Sequence, residues 1–190
     1  MNLRDRNLVP DREKKFKGAG IATAAVLAIL IGILIRWIVH GWFIFPVTVP
    51  DSAMEPATDI SLKAGDVVYA SRIFSDDDLK PGAVVLCYHP NLEHQRIIRR
   101  IVAGPGQSVE LLNGDLYVQG RPVAETYQEV ALESLRSRRA ILPESPWDKM
   151  SALQLGSGEY FVLADNRFSG LDSRFFGPIK GNRIQAIIRP

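Results

Sequence analysis

Cysteine is nearly absent from this chain. Cys87 stands alone, which excludes an internal disulfide framework and any cysteine-rich zinc site. An excess of either charge is lacking too: 23 Lys and Arg against 21 Asp and Glu leave a formal net charge of +2. A nucleic-acid partner, which needs a basic face or stripe, is therefore not expected. His40, His89 and His94 share no metal-ligand spacing, so neither a metal centre nor a cofactor site is expected, and the three read as interfacial or surface residues. There is no internal repeat and no low-complexity tract. With 46% hydrophobic and 23% charged residues the usage is that of an ordinary folded protein, which excludes wholesale disorder. A length of 190 residues suits one domain with an appended segment. The 12 prolines and 15 glycines point to many turns and so to a sheet-rich body.

Charge is absent altogether from one long run. Residues 1–17 form a basic tail, with Arg4, Arg6, Arg12, Lys14, Lys15 and Lys17 against Asp5, Asp11 and Glu13. The next stretch, GAGIATAAVLAILIGILI from Gly18 to Ile35, carries no charge. As a helix it spans roughly 27 Å, close to the hydrocarbon thickness of a bilayer. Arg36 can extend its stem to the interface, and Trp37, Trp42, Phe43 and Phe45 read as an aromatic belt. A cleaved signal peptide has a shorter apolar core followed by a small-x-small site, and RWIVHGWFIF offers none. The reading is a retained transmembrane helix over 18–40. The basic tail then stays cytoplasmic, and residues 46–190 form an extracytoplasmic domain.

That domain reads as strands. VVYASRI (67–73), AVVLCYH (83–89), RIIRRIVA (96–103), SVELL (108–112) and DLYVQG (115–120) are short and rich in β-branched or aromatic residues. Pro81-Gly82, Gly104-Pro105-Gly106 and Asn113-Gly114 punctuate them, and LLNGDLYV is a hairpin signal because Asn-Gly suits the positive φ of a two-residue turn. The pattern breaks near 124–156, which reads as an insertion: ETYQEVALESLRSRRAIL suggests a short helix and PESPWDKMS a loop. EYFVLADN and RIQAIIRP resume the strands. The expected fold is mainly β, in a mixed-sheet or barrel-like arrangement behind one N-terminal helix.

Four segments, in order, resemble the type I signal peptidases, membrane-anchored serine endopeptidases that remove signal peptides with a Ser-Lys dyad. VPDSAMEPAT (49–58) is similar to the family's Ser-x-Ser-Met-x-Pro region. GDVVYASR (65–72) with PGAVVLCYHP (81–90) resembles its Gly-Asp-hydrophobic strand. IIRRIVAGPGQSVELLNGDLYVQGRPV (97–123) resembles its Lys-Arg segment and following hairpin, and EYFVLADNRFSGLDSRFFGPI (159–179) its Asp-Asn-Arg and Asp-Ser-Arg box.

Alignment on Met54 and Pro56 puts Ala53 at the nucleophile position, where the resemblance implies serine. Alignment on Arg100 and Pro105-Gly106 puts Arg99 at the position of the general-base lysine. Alanine has no hydroxyl, and a guanidinium stays charged and offers no lone pair for a serine proton. Gly170 stands where the family has a base-orienting serine. Asp51 stands where some members have an oxyanion-stabilising serine, and a carboxylate there opposes the negative charge of a tetrahedral intermediate. The remainder of the box is retained: Asp165, Asn166, Arg167, Asp172 and Arg174 read, with Met54 and Pro56, as structural residues near the site.

The expectation is a signal peptidase-like protein without peptidase chemistry, acting as a binding or assembly factor for exported proteins. Its partners would be the membrane, signal-peptide-like segments and an active paralogue. The family's groove takes extended peptides by strand addition, which needs no dyad. Arg99 as a permanent cation beside that groove predicts a preference for acidic or carboxylate-ended peptides. The alternative is a working serine endopeptidase with a displaced nucleophile, Ser52, aided by Ser169. Lys63, Lys80 and Lys180 are the spare amines, read as solvated. Cys87, in an apolar strand, reads as a buried hydrophobe.

Overall fold

The computed structural model describes residues 12–55, 62–92, 94–125, 149–167 and 169–189. Pro56 and nearly all of the helix expected over 125–142 lie outside them. The chain divides into two compact units, Met1–Trp42 and Phe43–Pro190.

The first unit holds α1 (Arg12–Ile38), which passes into a π-helical turn at Val39–Phe43. Gly20–Phe43 is long and apolar enough to cross a membrane. Apolar side chains including Ile21, Leu27, Ile31 and Leu34 are exposed, so this helix is hydrophobic on all sides rather than along one stripe, as a lipid-facing helix is.

The second unit is mainly β. Its strands are β1 (Ile44–Thr48), β2 (Val67–Ser71), β3 (Val84–Tyr88), β4 (Arg96–Ala103), β5 (Ser108–Leu112), β6 (Asp115–Val118), β7 (Arg121–Pro122), β8 (Met150–Gln154), β9 (Glu159–Leu163), β10 (Ile179–Lys180) and β11 (Ile184–Ile188), with a one-turn helix α2 (Ser173–Phe176). A seven-stranded sheet runs β1-β2-β11-β3-β4-β9-β10, and a four-stranded sheet runs β7-β6-β5-β8. Every described ladder is antiparallel. Asn113 (φ 58°) and Gly114 (φ 86°) make the β5–β6 turn in the left-handed region that the Asn-Gly pair favours.

Alternation along β3 divides the core. Val84 and Leu86 pack with Val47, Met54, Ala70, Ile98 and Ile188 on one face, while Val85 and Cys87 pack with Ile97, Ile101, Val162 and Ile187 on the other. A third cluster, with Val102, Val109, Leu116, Phe161 and Leu163, joins the small sheet to β4 and β9. β4 therefore lies at the centre of three clusters, buried from Ile97 to Ala103. Burying both faces of a strand requires a nearly unbroken apolar run, and Arg99 and Arg100 interrupt this one.

β8 falls inside the stretch read as an insertion, and Met150 and Ser151 were read there as loop. They pair with the small sheet through β5. MSALQ has no β-branched residue, so its strand comes from the edge of β5 rather than from its own propensity.

Candidate functional site

The two arginines of β4 are neighbours in sequence and point to opposite faces of the strand. Each takes a carboxylate with it. Arg100 donates from Nε and Nη2 to the two carboxylate oxygens of Asp165 at 2.8 and 2.6 Å, and from Nη1 to Gly82 O at 2.9 Å. Arg99, 1% exposed, donates from Nη1 and Nη2 to the two oxygens of Asp51 at 3.2 and 3.0 Å. Its Nε donates to Leu171 O at 2.9 Å, and Nη1 also donates to Ile98 O at 2.6 Å. A charge is retained in an interior only when so matched.

Asp51 opens the 3-10 turn Ser52–Met54 as its N-cap, accepting from the Ala53 N–H at 3.1 Å. The same carboxylate thus shapes the turn and neutralises Arg99. Ala53 and Met54 are fully buried. The Asn166 N–H donates to Ala53 O at 2.8 Å, tying the turn to the loop after β9. That loop continues to Gly170 (φ +87°), where an added methyl would lie 2.7 Å from both Ala53 Cβ and Arg99 Nη2. Ala53, Arg99 and Gly170, separated by 46 and 71 positions, therefore meet at one point. The Ser52 and Ser169 hydroxyls, the displaced alternatives, are 2.7 Å apart and bonded to each other.

Behind this point lies a second ionic layer. Asp172 caps α2 and accepts from the Arg174 backbone N–H at 3.0 Å, from Arg174 Nε at 2.8 Å and Nη2 at 2.7 Å, and from the Ala164 N–H at 3.0 Å. Arg174 Nη2 also donates to Arg167 O at 2.9 Å. Burial pulls Arg174 below the usual guanidinium range, and the hydrogen bonds and charge of Asp172 oppose that pull. Arg167 in turn donates from Nη2 to both oxygens of Glu125 at 2.6 and 2.8 Å, with both side chains buried.

The retained residues Asp165, Asn166, Arg167, Asp172 and Arg174 are thus brought into one framework around the turn, and Met54 anchors that turn in the core. Two participants were missed in sequence. Asp51 was weighed only against a reaction intermediate, because no local signal links it to Arg99, 48 positions further along the chain. Glu125 carried no signal beyond being a lone carboxylate. The structure also corrects the anion-binding expectation for Arg99: its charge is buried and already matched by Asp51, so it presents no free cation to a peptide.

The other candidates lie apart from this convergence. Lys63 and Lys80 are exposed, and Lys180 is a surface residue bonded to Glu159 at 2.8 Å. Cys87 is buried, and loss of solvation pushes its thiol up to about 12, which makes it inert. No cluster of His, Cys, Asp and Glu able to hold a metal occurs among the described residues. His94 is exposed.

His89, read as a surface or interfacial residue, is buried instead. Its Nδ1 accepts from the Asn91 and Leu92 N–H groups at 3.1 Å, and its ring meets Phe176 edge-on at 4.8 Å. Burial, followed by the positive charges of Arg99 and Arg183, lowers its pKa from the usual 6.5. An imidazole kept neutral by folding takes up its proton more readily in the unfolded chain. Its contribution is therefore complete above 6.5 and is lost as pH falls from there through the lower folded value. In His89→Asn, which retains an acceptor for both N–H groups, thermal unfolding should show a smaller loss of stability on acidification below about 6.5 than in the unsubstituted chain. Equal losses would dismiss His89 as the source.

Comparisons with known proteins identify the family. Residues 22–189 match the family model described as signal peptidase, peptidase S26. Signal peptidase IB of Staphylococcus aureus is 29% identical over 164 residues, covering 84% of this chain and 83% of that protein. Signal peptidase I of Bacillus amyloliquefaciens is 26% identical over 168 residues, covering 86% and 83%. Signal peptidase I V of Bacillus subtilis is 33% identical over 97 residues, half of this chain, and the match spans 57% of that relative's length. Among solved structures, a signal peptidase I from Enterococcus faecalis V583 matches with a TM-score of 0.47 and 24% identity, over 58% of this chain and 96% of that one.

Proposed function

The chain belongs to the signal peptidase S26 family, and from that premise we propose that it is a membrane-anchored member that binds exported segments without cleaving them. One observation carries the reading. At the point where the family motif calls for nucleophile, base and orienting hydroxyl, a methyl group, a fully engaged guanidinium and a glycine are packed together. A methyl cannot attack a carbonyl, and a guanidinium that keeps its proton cannot accept one. The framework of Asp165, Asn166, Arg167, Asp172 and Arg174 nevertheless persists, so a recognition surface can outlive the chemistry. In this reading α1 is a single-pass anchor with the basic tail in the cytoplasm and the β domain outside. The occupants are signal-peptide-like segments, held by main-chain hydrogen bonds in strand addition, and an active paralogue is a candidate partner.

The Ser52–Ser169 contact favours one other reading, a working serine endopeptidase with Ser52 as nucleophile. Among the described lysines of the β domain, however, Lys63, Lys80, Lys149 and Lys180 all stand at the surface, which leaves Ser52 without an evident amine base.

The test is cleavage of a pre-protein bearing an Ala-x-Ala site by the full-length chain in detergent, beside an active signal peptidase. Loss of a catalytic-triad member costs several orders of magnitude in serine proteases, so the expected rate lies at least about 10³-fold below the control, with measurable binding of the uncleaved peptide. Cleavage that disappears in Ser52→Ala would establish the enzyme reading instead.

A further inference from the structure

We infer that Asp51 is the residue that closes this site to amine-base chemistry, because its carboxylate, 3.0 Å from Arg99 Nη2, would favour the charged form of a lysine at position 99. The inference rests on the proposed reading that Arg99 occupies the general-base position.

Two opposing effects decide the state of an amine at position 99. Burial alone favours the neutral form and can lower a lysine by several pH units from its usual value of about 10.4. That depression is what a base working near neutrality requires. Position 99 supplies the burial, since Arg99 is 1% exposed. An opposite charge within about 4–6 Å acts the other way, by about one to three units. Arg99 Nη2 reaches Asp51 at 3.0 Å. A lysine nitrogen in the same trajectory ends near Cζ, one bond short of Nη2, and so stays inside that range. The carboxylate would cancel much of the depression that burial gives.

The other titratable groups around position 99 do not supply this charge. Cys87 stands two residues along β3 from Val85, the cross-strand partner of Arg99, and His89 directly follows the end of that strand. Both are held neutral, the thiol pushed up to about 12 by burial and the imidazole lowered by burial and by Arg99. From the described residues of the loop come the Leu171 carbonyl and Gly170, neither of them charged. The carboxylates of Asp165 and Asp172 are engaged by Arg100 and Arg174. Asp51 is the local counter-charge, and it is held in place by capping the turn that carries Ala53.

Asp51 and Arg99 have distinct effects on the site. Arg99 removes the base, whereas Asp51 removes the environment in which a base could work. Restoring lysine alone would therefore leave a cation in the site.

The experiment is a titration of the introduced amine by ¹⁵N-lysine NMR on the full chain in detergent, its signal identified by absence from the unsubstituted protein. Arg99→Lys is compared with Arg99→Lys/Asp51→Asn, in which Asn keeps an oxygen for the Ala53 N–H. Arg99→Lys/Asp51→Ser is a second route to the same removal of charge should the Asn variant fail to fold. The expected result is a midpoint at least about one pH unit lower without Asp51, a tenfold loss of proton affinity. A smaller fall, or an amine already neutral at pH 7 with Asp51 in place, would overturn the inference. Cleavage of pre-protein by the unsubstituted chain would instead overturn the binding reading while leaving this titration as it stands.

Discussion

Asp172→Ala is expected to lower the thermal unfolding midpoint of the β domain by roughly 8–24 °C. The carboxylate is completely buried and makes four contacts: the Arg174 backbone and two of its guanidinium nitrogens, and the Ala164 N–H. Loss of a helix cap costs about 1 kcal/mol. Leaving a buried guanidinium without its carboxylate costs more, about 3–5 kcal/mol. For a domain of this size each kcal/mol moves the midpoint by about 2–4 °C, so the unpaired charge dominates. Two further variants divide the terms. Asp172→Asn keeps acceptors for the cap and for Ala164 while removing the charge, and should retain most of the loss. Asp172→Ala combined with Arg174→Met should recover part of it, because no unpaired charge is then left buried at this position. Circular dichroism melts of the full chain in detergent would show this order. A single-variant shift of only a few degrees would mean that water reaches Arg174 and the pair carries little of the stability.

Most of the β domain was legible because its signals are local. β-branched runs bounded by Pro-Gly, Gly-Pro-Gly and Asn-Gly gave β3 to β6 to within a residue or two. β1 was hidden because IFPVT continues the hydrophobicity of the preceding helix and contains Pro46, a residue that weakens a strand signal. Pro46 is tolerated because β1 is an edge strand, bonded among the described strands to β2 alone. Motif order also named Ala53, Arg99 and Gly170 as one site, although 117 positions separate the first from the last. What no motif announced was how the replacements fit one another. Asp51 and Arg99 had been weighed as separate losses, yet they form one ion pair. Glu125, at the start of the stretch read as an insertion, is bonded into the loop at Arg167. Such pairings depend on long-range contact, and a single sequence holds no term for that.

The fit between replacements leads to a second large effect, at Gly170. Gly170→Ala is expected to destabilise the domain by about 2–6 kcal/mol, from two sources. A non-glycine residue held at φ +87° is strained by about 1–3 kcal/mol. The new methyl would also sit 2.7 Å from Ala53 Cβ and from Arg99 Nη2, and overpacking of this kind costs a further 1–3 kcal/mol. Neither neighbour moves easily: Ala53 is fixed by the Asn166 hydrogen bond, and Arg99 by Asp51, Leu171 and Ile98. Gly65 supplies the control, with φ +92° and nothing within 4 Å of an added methyl. Gly65→Ala carries strain without the contact, so the excess at Gly170 measures the close approach. Arg99→Lys withdraws Nη2 and should restore part of that excess, giving a coupling of about 1 kcal/mol or more in a double-mutant cycle read by denaturant unfolding. The Ala53 contact and the strain would remain, so rescue should be partial. If the two alanine variants cost the same, Gly170 is needed only for its backbone angle. A measured excess with coupling to position 99 would instead tie the glycine to the arginine, as two parts of one repacked site.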